Sequence, residues 1–217
     1  MNFFIYIFLV PYFSLFAHQQ EDLPEPYQSL ELLPFDPHGW FENQKPMEQA
    51  INNNYVKVVI EVGSWLGKST RYIASLLPLE GKVYAVDHWK GSAENQSGET
   101  GWHRALPYLY QQFLSNIIHA GLANKIIPIK MASVEAANVL CHPPYNVTAD
   151  LIYIDASHDT DSVYADLCAW YPYVQGHGIL CGDDWESSPN VRTAVTRFAI
   201  ERGLKIETSL YFWRLVE

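Results

Sequence analysis

One stretch constrains the fold more than any other: Val58-Val59-Ile60-Glu61-Val62-Gly63-Ser64-Trp65-Leu66-Gly67-Lys68-Ser69-Thr70. An apolar, β-branched run ends in an acid, two glycines bracket a tight turn, and a helix-like segment follows. Downstream, Val83-Tyr84-Ala85-Val86-Asp87 reads as a second strand closing on a carboxylate. A parallel strand, a glycine turn, a helix and a second strand ending in an acid make a nucleoside-binding unit. The glycines let backbone approach the ligand, and the second acid accepts from ribose hydroxyls.

Spacing decides among the loops that use this layout. Gly67-Lys68-Ser69 has the ending of a phosphate-binding loop, but G-x-x-x-x-G-K-[ST] needs a glycine at 62, and that residue is Val62. A dinucleotide loop, G-x-G-x-x-G, fails because the position two after Gly63 is Trp65. A third loop, E-x-G-x-G-x-G, is matched at Glu61, Gly63 and Gly67, with Trp65 in place of the middle glycine. A plain strand-turn-helix with glycines serving geometry alone is the bland alternative.

The rest of the chain alternates strand and helix signals, which argues for an α/β sandwich on a parallel sheet. Strands are expected at 56–62, 82–87, 126–130, 149–155 and 178–183. Two further strands lie in the tail, around 205–207 and 211–216. Helices are expected around 67–77, 103–120, 133–140, 161–174 and 190–202. Leu106, Leu109, Tyr110, Phe113, Ile117 and Ile118 form the apolar stripe of the second helix. Residues 21–54 carry prolines at 24, 26, 34, 37 and 46 and read as an extended approach to the domain.

Ligands of such sheets sit beyond the carboxyl ends of the strands. Three strands end there in acids: Asp87, then Asp155 followed by Ala156-Ser157-His158, then Asp183-Asp184. Acids that emerge from apolar strands into one crevice repel each other unless a cation neutralises them. Asp155, Asp183 and Asp184 would make a hard, all-oxygen site for Mg²⁺ or another divalent cation. The competing reading makes Asp155 the cap of the helix near 161, and Asp183 or Asp184 a cap of the next segment. His158 is a candidate base, with a structural role in the loop as its alternative. Trp89, Trp102, His103 and Trp185 lie in or beside these loops, as acceptor walls or as core.

The motifs Glu61 to Thr70, Ile152-Tyr153-Ile154-Asp155-Ala156-Ser157-His158 and Gly182-Asp183-Asp184 resemble the class I S-adenosylmethionine-dependent methyltransferases. They are most similar to the methyltransferase 24 branch, itself similar to the catechol and caffeoyl-CoA O-methyltransferases. The resemblance covers about residues 55–216. It implies a Rossmann-like three-layer sandwich with a mostly parallel seven-stranded sheet and an antiparallel C-terminal strand. Glu61, Gly63, Ser64 and Gly67 would hold the methionine part of the cofactor and Asp87 its ribose. Ser133 would flank the adenine, and Asp155 would border the cofactor. Asp155, Asp183 and Asp184 would be metal ligands, with Asp184 where the related enzymes often have Asn. Their lysine close after the first metal aspartate is absent here, and His158 stands nearby. The expected activity is methylation of a small hydroxylated molecule. A binding protein of this family without transferase activity and a Rossmann oxidoreductase are the rivals.

Composition bounds the partners. The 217 residues are 48% hydrophobic and 18% charged, with a formal net charge of −10 and no basic run. Nucleic acid is excluded as an unassisted partner, because backbone binding rests on Lys and Arg. A small-molecule acceptor fits, and homo-oligomerisation stays open. Cys141, Cys168 and Cys181 are odd in number and read as reduced thiols, in keeping with a cytoplasmic chain. Residues 1–20 stand apart. Phe3 to Ala17 is almost wholly apolar but interrupted by Pro11. It suits an export signal cleaved near Ala17 or a weak membrane-associating segment, although no Lys or Arg precedes it. Asn95-Gln96-Ser97 and Asn146-Val147-Thr148 are glycosylation sequons that matter only on a secretory route.

Overall fold

The computed structural model describes residues 22–92 and 104–217. The expectations for residues 1–20, for the sequon at Asn95, and for Trp102 and His103 lie outside them. Seven strands form one sheet: β1 (Val58–Val62), β2 (Lys82–Asp87), β3 (Ile126–Lys130), β4 (Ala149–Ile154), β5 (Val174–Gly182), β6 (Lys205–Ser209) and β7 (Phe212–Val216). Their order is β3-β2-β1-β4-β5-β7-β6. The first five are parallel, and β7 runs antiparallel to both β5 and β6. This is the Rossmann-like, mostly parallel sheet that the sequence led us to expect, and its strand order reverses between β1 and β4. That reversal opens a crevice at the carboxyl ends of these strands.

Period-two alternation assigns the strand side chains to two cores. Val59, Val83, Leu151, Tyr153 and Cys181 face one layer. That layer holds α1 (Gln44–Asn54), α2 (Lys68–Leu76) and α3 (Leu109–His119). Ile60, Val62, Val86, Ile152 and Leu180 face the other. There lie α4 (Ser133–Leu140), α5 (Thr160–Trp170) and α6 (Pro189–Arg202). Both faces are covered, which explains why the central strands read as continuous apolar runs. Among the described residues no helix is long and apolar enough to cross a membrane.

Local chemistry explains where elements stop. Pro107 lies in a 3-10 turn, Leu106–Tyr108, so the regular helix begins only at Leu109. Pro172 ends α5 in a second 3-10 turn, because proline has no N–H to extend the ladder. Asp159 caps α5, its Oδ1 accepting from the Ser162 N–H at 2.9 Å. The capping role open to Asp155 in the sequence is thus filled by another acid. β5 begins earlier than expected, at Val174, but its first residues are exposed and its register with β4 shifts near Ala149.

Residues 22–43 contain turns but neither helix nor strand, as the prolines suggest, yet they are built into the core. Tyr27 is fully buried and donates to the Ile126 carbonyl at 3.0 Å. The segment then runs along α3, where the Leu33 and Asp36 N–H groups donate to the Ser115 and Asn116 side chains. It ends in α1, which buries Met47, Ala50 and Ile51. Prolines and an Asn run hid this helix in the sequence.

Candidate functional site

The floor of the crevice is the turn from β1 into α2. Gly63 has φ +96°, and a Cβ there would lie 1.9 Å from the Asp155 carbonyl oxygen. Only glycine lets the turn after β1 pass this close to the end of β4. Gly67, φ +80°, starts α2 and donates to the Ser64 carbonyl at 2.7 Å. Trp65 stands between them in the left-handed region, φ 46°. A non-glycine residue held there marks a backbone determined by its surroundings.

Those surroundings are Asp87 and Trp89. Asp87 Oδ2 accepts the Trp65 N–H at 2.9 Å, and Oδ1 accepts the Trp89 N–H at 2.6 Å. The Trp89 indole then donates to the Trp65 carbonyl at 2.7 Å. Burial raises the Asp87 pKa, and the two backbone donors oppose it. A carboxylate offers about four lone-pair sites, so Asp87 retains acceptor capacity beyond the loop it organises. Trp89 packs between Tyr110 and Phe113 at 4.7 and 4.8 Å. It is core rather than an acceptor wall.

Glu61 is fully buried beneath the turn. Its Oε2 accepts the Thr70 hydroxyl. Burial raises its pKa against the pull of the nearby Ser69, Thr70 and Ser64 hydroxyls, although the Ser64 hydroxyl is not placed to complete a hydrogen bond. Glu61 Oε1 and Ser64 Oγ are both buried without a hydrogen-bond partner. Orphaned buried polar atoms cost about 1–3 kcal/mol each, so these two leave unmet hydrogen-bonding capacity beneath the glycine turn. An amino group and carboxylate such as those of a methionine moiety fit this pair. Ser133 opens α4, but its hydroxyl is spent on the Trp170 indole at 2.9 Å and on Asp166.

Across the reversal point lie the acids of β4 and β5. Asp155, Asp184 and His158 offer ligand atoms all within 4.8 Å of one another. His158 Nε2 is 2.8 Å from Asp184 Oδ2. Burial and then the charges of Asp183, Asp184 and Glu61 push the Asp155 pKa well above the carboxylate range. For Asp184 burial works the other way from its bonds, yet the His158 and Ser187 hydrogen bonds bring its pKa below the usual value. Asp183 stands outside the trio. Its Oδ1 accepts the Asp184 N–H at 2.7 Å and its Oδ2 accepts the Tyr153 hydroxyl at 3.1 Å. Two carboxylates with an imidazole suit a divalent cation.

The N-terminal segment closes one side, a feature with no local sequence signal. Lys68 Nζ donates to the Gly39 carbonyl at 2.8 Å. Trp40 is 64% exposed. Its ring lies 4.6 Å from His38 and 5.9 Å from Trp65. Asn43 is buried and reaches the Tyr153 hydroxyl. Trp185 is half-buried against the α5–α6 core, with its N–H on the Tyr211 carbonyl at 2.8 Å.

Comparison with known proteins gives this crevice a context. A family profile described as a methyltransferase domain matches residues 60–185, more than half of the chain. No curated protein sequence matches. The O-methyltransferase TomG from Streptomyces achromogenes, involved in tomaymycin synthesis and solved with S-adenosylmethionine, has a similar fold. Its TM-score is 0.59 at 16% identity, over 92% of this chain and 86% of that one. An O-methyltransferase from Bacillus cereus, solved with S-adenosylhomocysteine, is similar at TM-score 0.58 and 17% identity, over 97% and 94% of the two chains. The profile runs from Ile60, beside the buried Glu61, to Trp185, just past the β5 acids, and the chain belongs to the methyltransferase 24 branch of the class I S-adenosylmethionine-dependent methyltransferases.

Proposed function

We propose that this enzyme transfers the methyl group of S-adenosylmethionine to a hydroxyl of a small molecule, with a divalent cation assisting at the β4–β5 acids. The observation that carries the cofactor reading is the pair of orphaned buried oxygens, Glu61 Oε1 and Ser64 Oγ, under the Gly63–Gly67 turn. With Asp87 at the end of β2, they supply acceptors and a donor suited to a methionine head and a ribose. Gly63 and Gly67 leave room for backbone to approach the ligand, and α4, opened by Ser133, borders the adenine side.

Methyl transfer from a sulfonium is an in-line displacement, so the protein's main contribution is alignment of acceptor oxygen and methyl carbon. Asp155 lies against Gly63 and joins the cofactor turn to the acids, so both reactants meet over one rigid contact. When bound, a divalent cation would favour and orient the acceptor oxyanion. Acceptor activation falls to Asp155, His158 and Asp184. The acceptor is uncharged or cation-bridged rather than a polyanion, in keeping with the net charge of −10. The proposed compartment is the cytoplasm, in keeping with three free cysteines.

The test is a metabolite-extract screen with methyl-labelled S-adenosylmethionine, run before and after chelation. Label should pass to a hydroxylated product, and chelation should abolish transfer until Mg²⁺ or Mn²⁺ is restored. Folded protein that shows no S-adenosylmethionine binding by calorimetry would overturn the cofactor reading. Full turnover after chelation would remove the cation.

A further inference from the structure

We propose that binding of S-adenosylmethionine drives a proton from the buried carboxyl of Glu61 to solvent, so that the ammonium of the cofactor is met by a carboxylate that forms as it arrives. The proposal rests on the cofactor reading above and adds a charge step to it.

Glu61 lies one residue from the end of β1 and is fully buried. By strand alternation its side chain shares the face of Val59. On that side α1 and α3 present the apolar Met47, Ala50, Ile51, Phe113 and Ile117. Its polar neighbours are hydroxyls: Thr70 donates to Oε2, Ser64 and Ser69 stand nearby, and Oε1 has no partner. Among the described residues no cation lies within ion-pair distance of it. Arg71, on α2, feels its charge but turns its guanidinium to the Leu66 carbonyl at 3.0 Å and the Phe35 ring at 5.0 Å. Lys68 Nζ is held by the Gly39 carbonyl. Tyr153 pairs with Glu61 across β4, but its hydroxyl bonds Asn43 and Asp183. Asp87 from β2 and Asp155 from the end of β4 add negative charge.

A carboxylate in that setting is desolvated, has one oxygen unpaired and is repelled by two acids. The neutral acid escapes all three costs, and burial accordingly raises the Glu61 pKa. Without cofactor the proton therefore stays. A positive charge within about 4–6 Å reverses the balance, and it need not touch the buried carboxyl to do so. The O–H bond of Glu61 then breaks, the proton passes to solvent, and the arriving positive charge is matched by the new negative one.

The experiment is calorimetry on the full chain, treated with chelator, in phosphate and in imidazole, two buffers of different ionisation enthalpy. It is run between about pH 6 and 7, where the α-amino group of the ligand stays protonated. The enthalpy difference between buffers counts the protons released. S-adenosylmethionine and S-adenosylhomocysteine should each release a proton, and adenosine, which lacks the ammonium, should release none. Affinity for S-adenosylmethionine should rise with pH, by up to about tenfold per unit. Glu61→Gln copies the neutral acid, so it should keep the melting temperature, bind the cofactor about tenfold or more weakly and release no proton. Equal enthalpies in both buffers would overturn the proposal, as would a release that survives in Glu61→Gln or that adenosine reproduces. Should the variant misfold, the wild-type comparison of S-adenosylhomocysteine with adenosine still decides. Folded wild type that binds neither S-adenosylmethionine nor S-adenosylhomocysteine would instead overturn the cofactor reading.

Discussion

The Trp65 backbone N–H donates to Asp87 Oδ2 at 2.9 Å, which ties the turn after β1 to the end of β2. The carboxylate expected to hold a ribose therefore also builds the loop that would hold the methionine. Asp87→Asn should separate these duties poorly, because its amide would face one of the two backbone donors. Losing a charged hydrogen-bonding partner costs about 1.5–3 kcal/mol, so S-adenosylmethionine affinity should fall roughly ten- to hundredfold. Calorimetry reads that loss, and a parallel drop in melting temperature would report the loop. Unchanged affinity would take Asp87 out of the site.

Gly63 tests the close approach of β1 and β4. Gly63→Ala drives a Cβ to 1.9 Å from the Asp155 carbonyl oxygen. Overpacking against backbone cannot relax by a side-chain turn, so the cost should reach about 3 kcal/mol or more. Gly203 is the control. It is also left-handed, φ +69°, but among the described residues nothing beyond its own chain neighbours lies within 4 Å of its Cβ position. Gly203→Ala should cost only about 1 kcal/mol. Equal costs in urea denaturation would mean that φ alone, rather than contact, governs Gly63.

Asp166 provides a pH signature. It is buried in α5, burial raises its pKa to about 6, and the Ser133 hydroxyl opposes part of that rise. The folded state then binds this proton more tightly than the unfolded state. Its contribution is fully present below the ordinary carboxylate pKa near 4 and is lost as pH rises through about 6. The amplitude is of order 2–3 kcal/mol. Asp166→Asn should flatten that limb and leave the variant the more stable of the two at pH 7. Denaturation at pH 4.5, 5.5 and 7 checks the sign. Identical slopes would show Asp166 ionised throughout.

Much of this fold was legible in the sequence because its signals are local. The apolar run into Glu61, the bracketing glycines and the strand-terminal acids each sit within a few residues of one another. They placed β1, β2, β4 and the crevice. The helix at Gln44–Asn54 was not legible, since Pro46 and the Asn run at 52–54 dilute its apolar face to Met47, Ala50 and Ile51. Pairings across the chain were equally hidden. His158 and Asp184 are 26 residues apart and meet only because β4 and β5 are neighbours. In the sequence Asp155 is the alternative cap of α5, but Asp159 stands directly before the helix and fills that role. The choice depended on which carboxylate lay within reach of the Ser162 N–H.

Truncation separates the outer residues from the approach segment. A chain beginning near Gln20 should fold and bind S-adenosylmethionine like the full chain, because every described core contact lies beyond it. A chain beginning at Asn43 should not, because it loses Tyr27 and Phe41 from the core. Fully burying such side chains is worth about 1.5–3 kcal/mol each. Aggregation of the shorter deletion would show that the first twenty residues belong to the folded unit.

The last prediction concerns Asn43, which sits at the N-cap of α1 yet makes no side-chain capping bond. An Asn there would ordinarily satisfy a helix N–H, a contribution of about 1 kcal/mol. Its Nδ2 instead donates to the Tyr153 hydroxyl, which donates onward to Asp183 Oδ2. The segment thus gives up a cap to fix an acid at the end of β5. Tyr153→Phe should cost about 1–3 kcal/mol, because it leaves both the buried amide and the carboxylate without their shared partner. Asn43→Ala should cost a similar amount, and the double variant less than the sum, since both changes break one chain of bonds. A coupling energy of about 0.5 kcal/mol or more in that cycle would establish the link. Strict additivity would make Asn43 an ordinary packing residue, and the bond chain to Asp183 would have no energetic content.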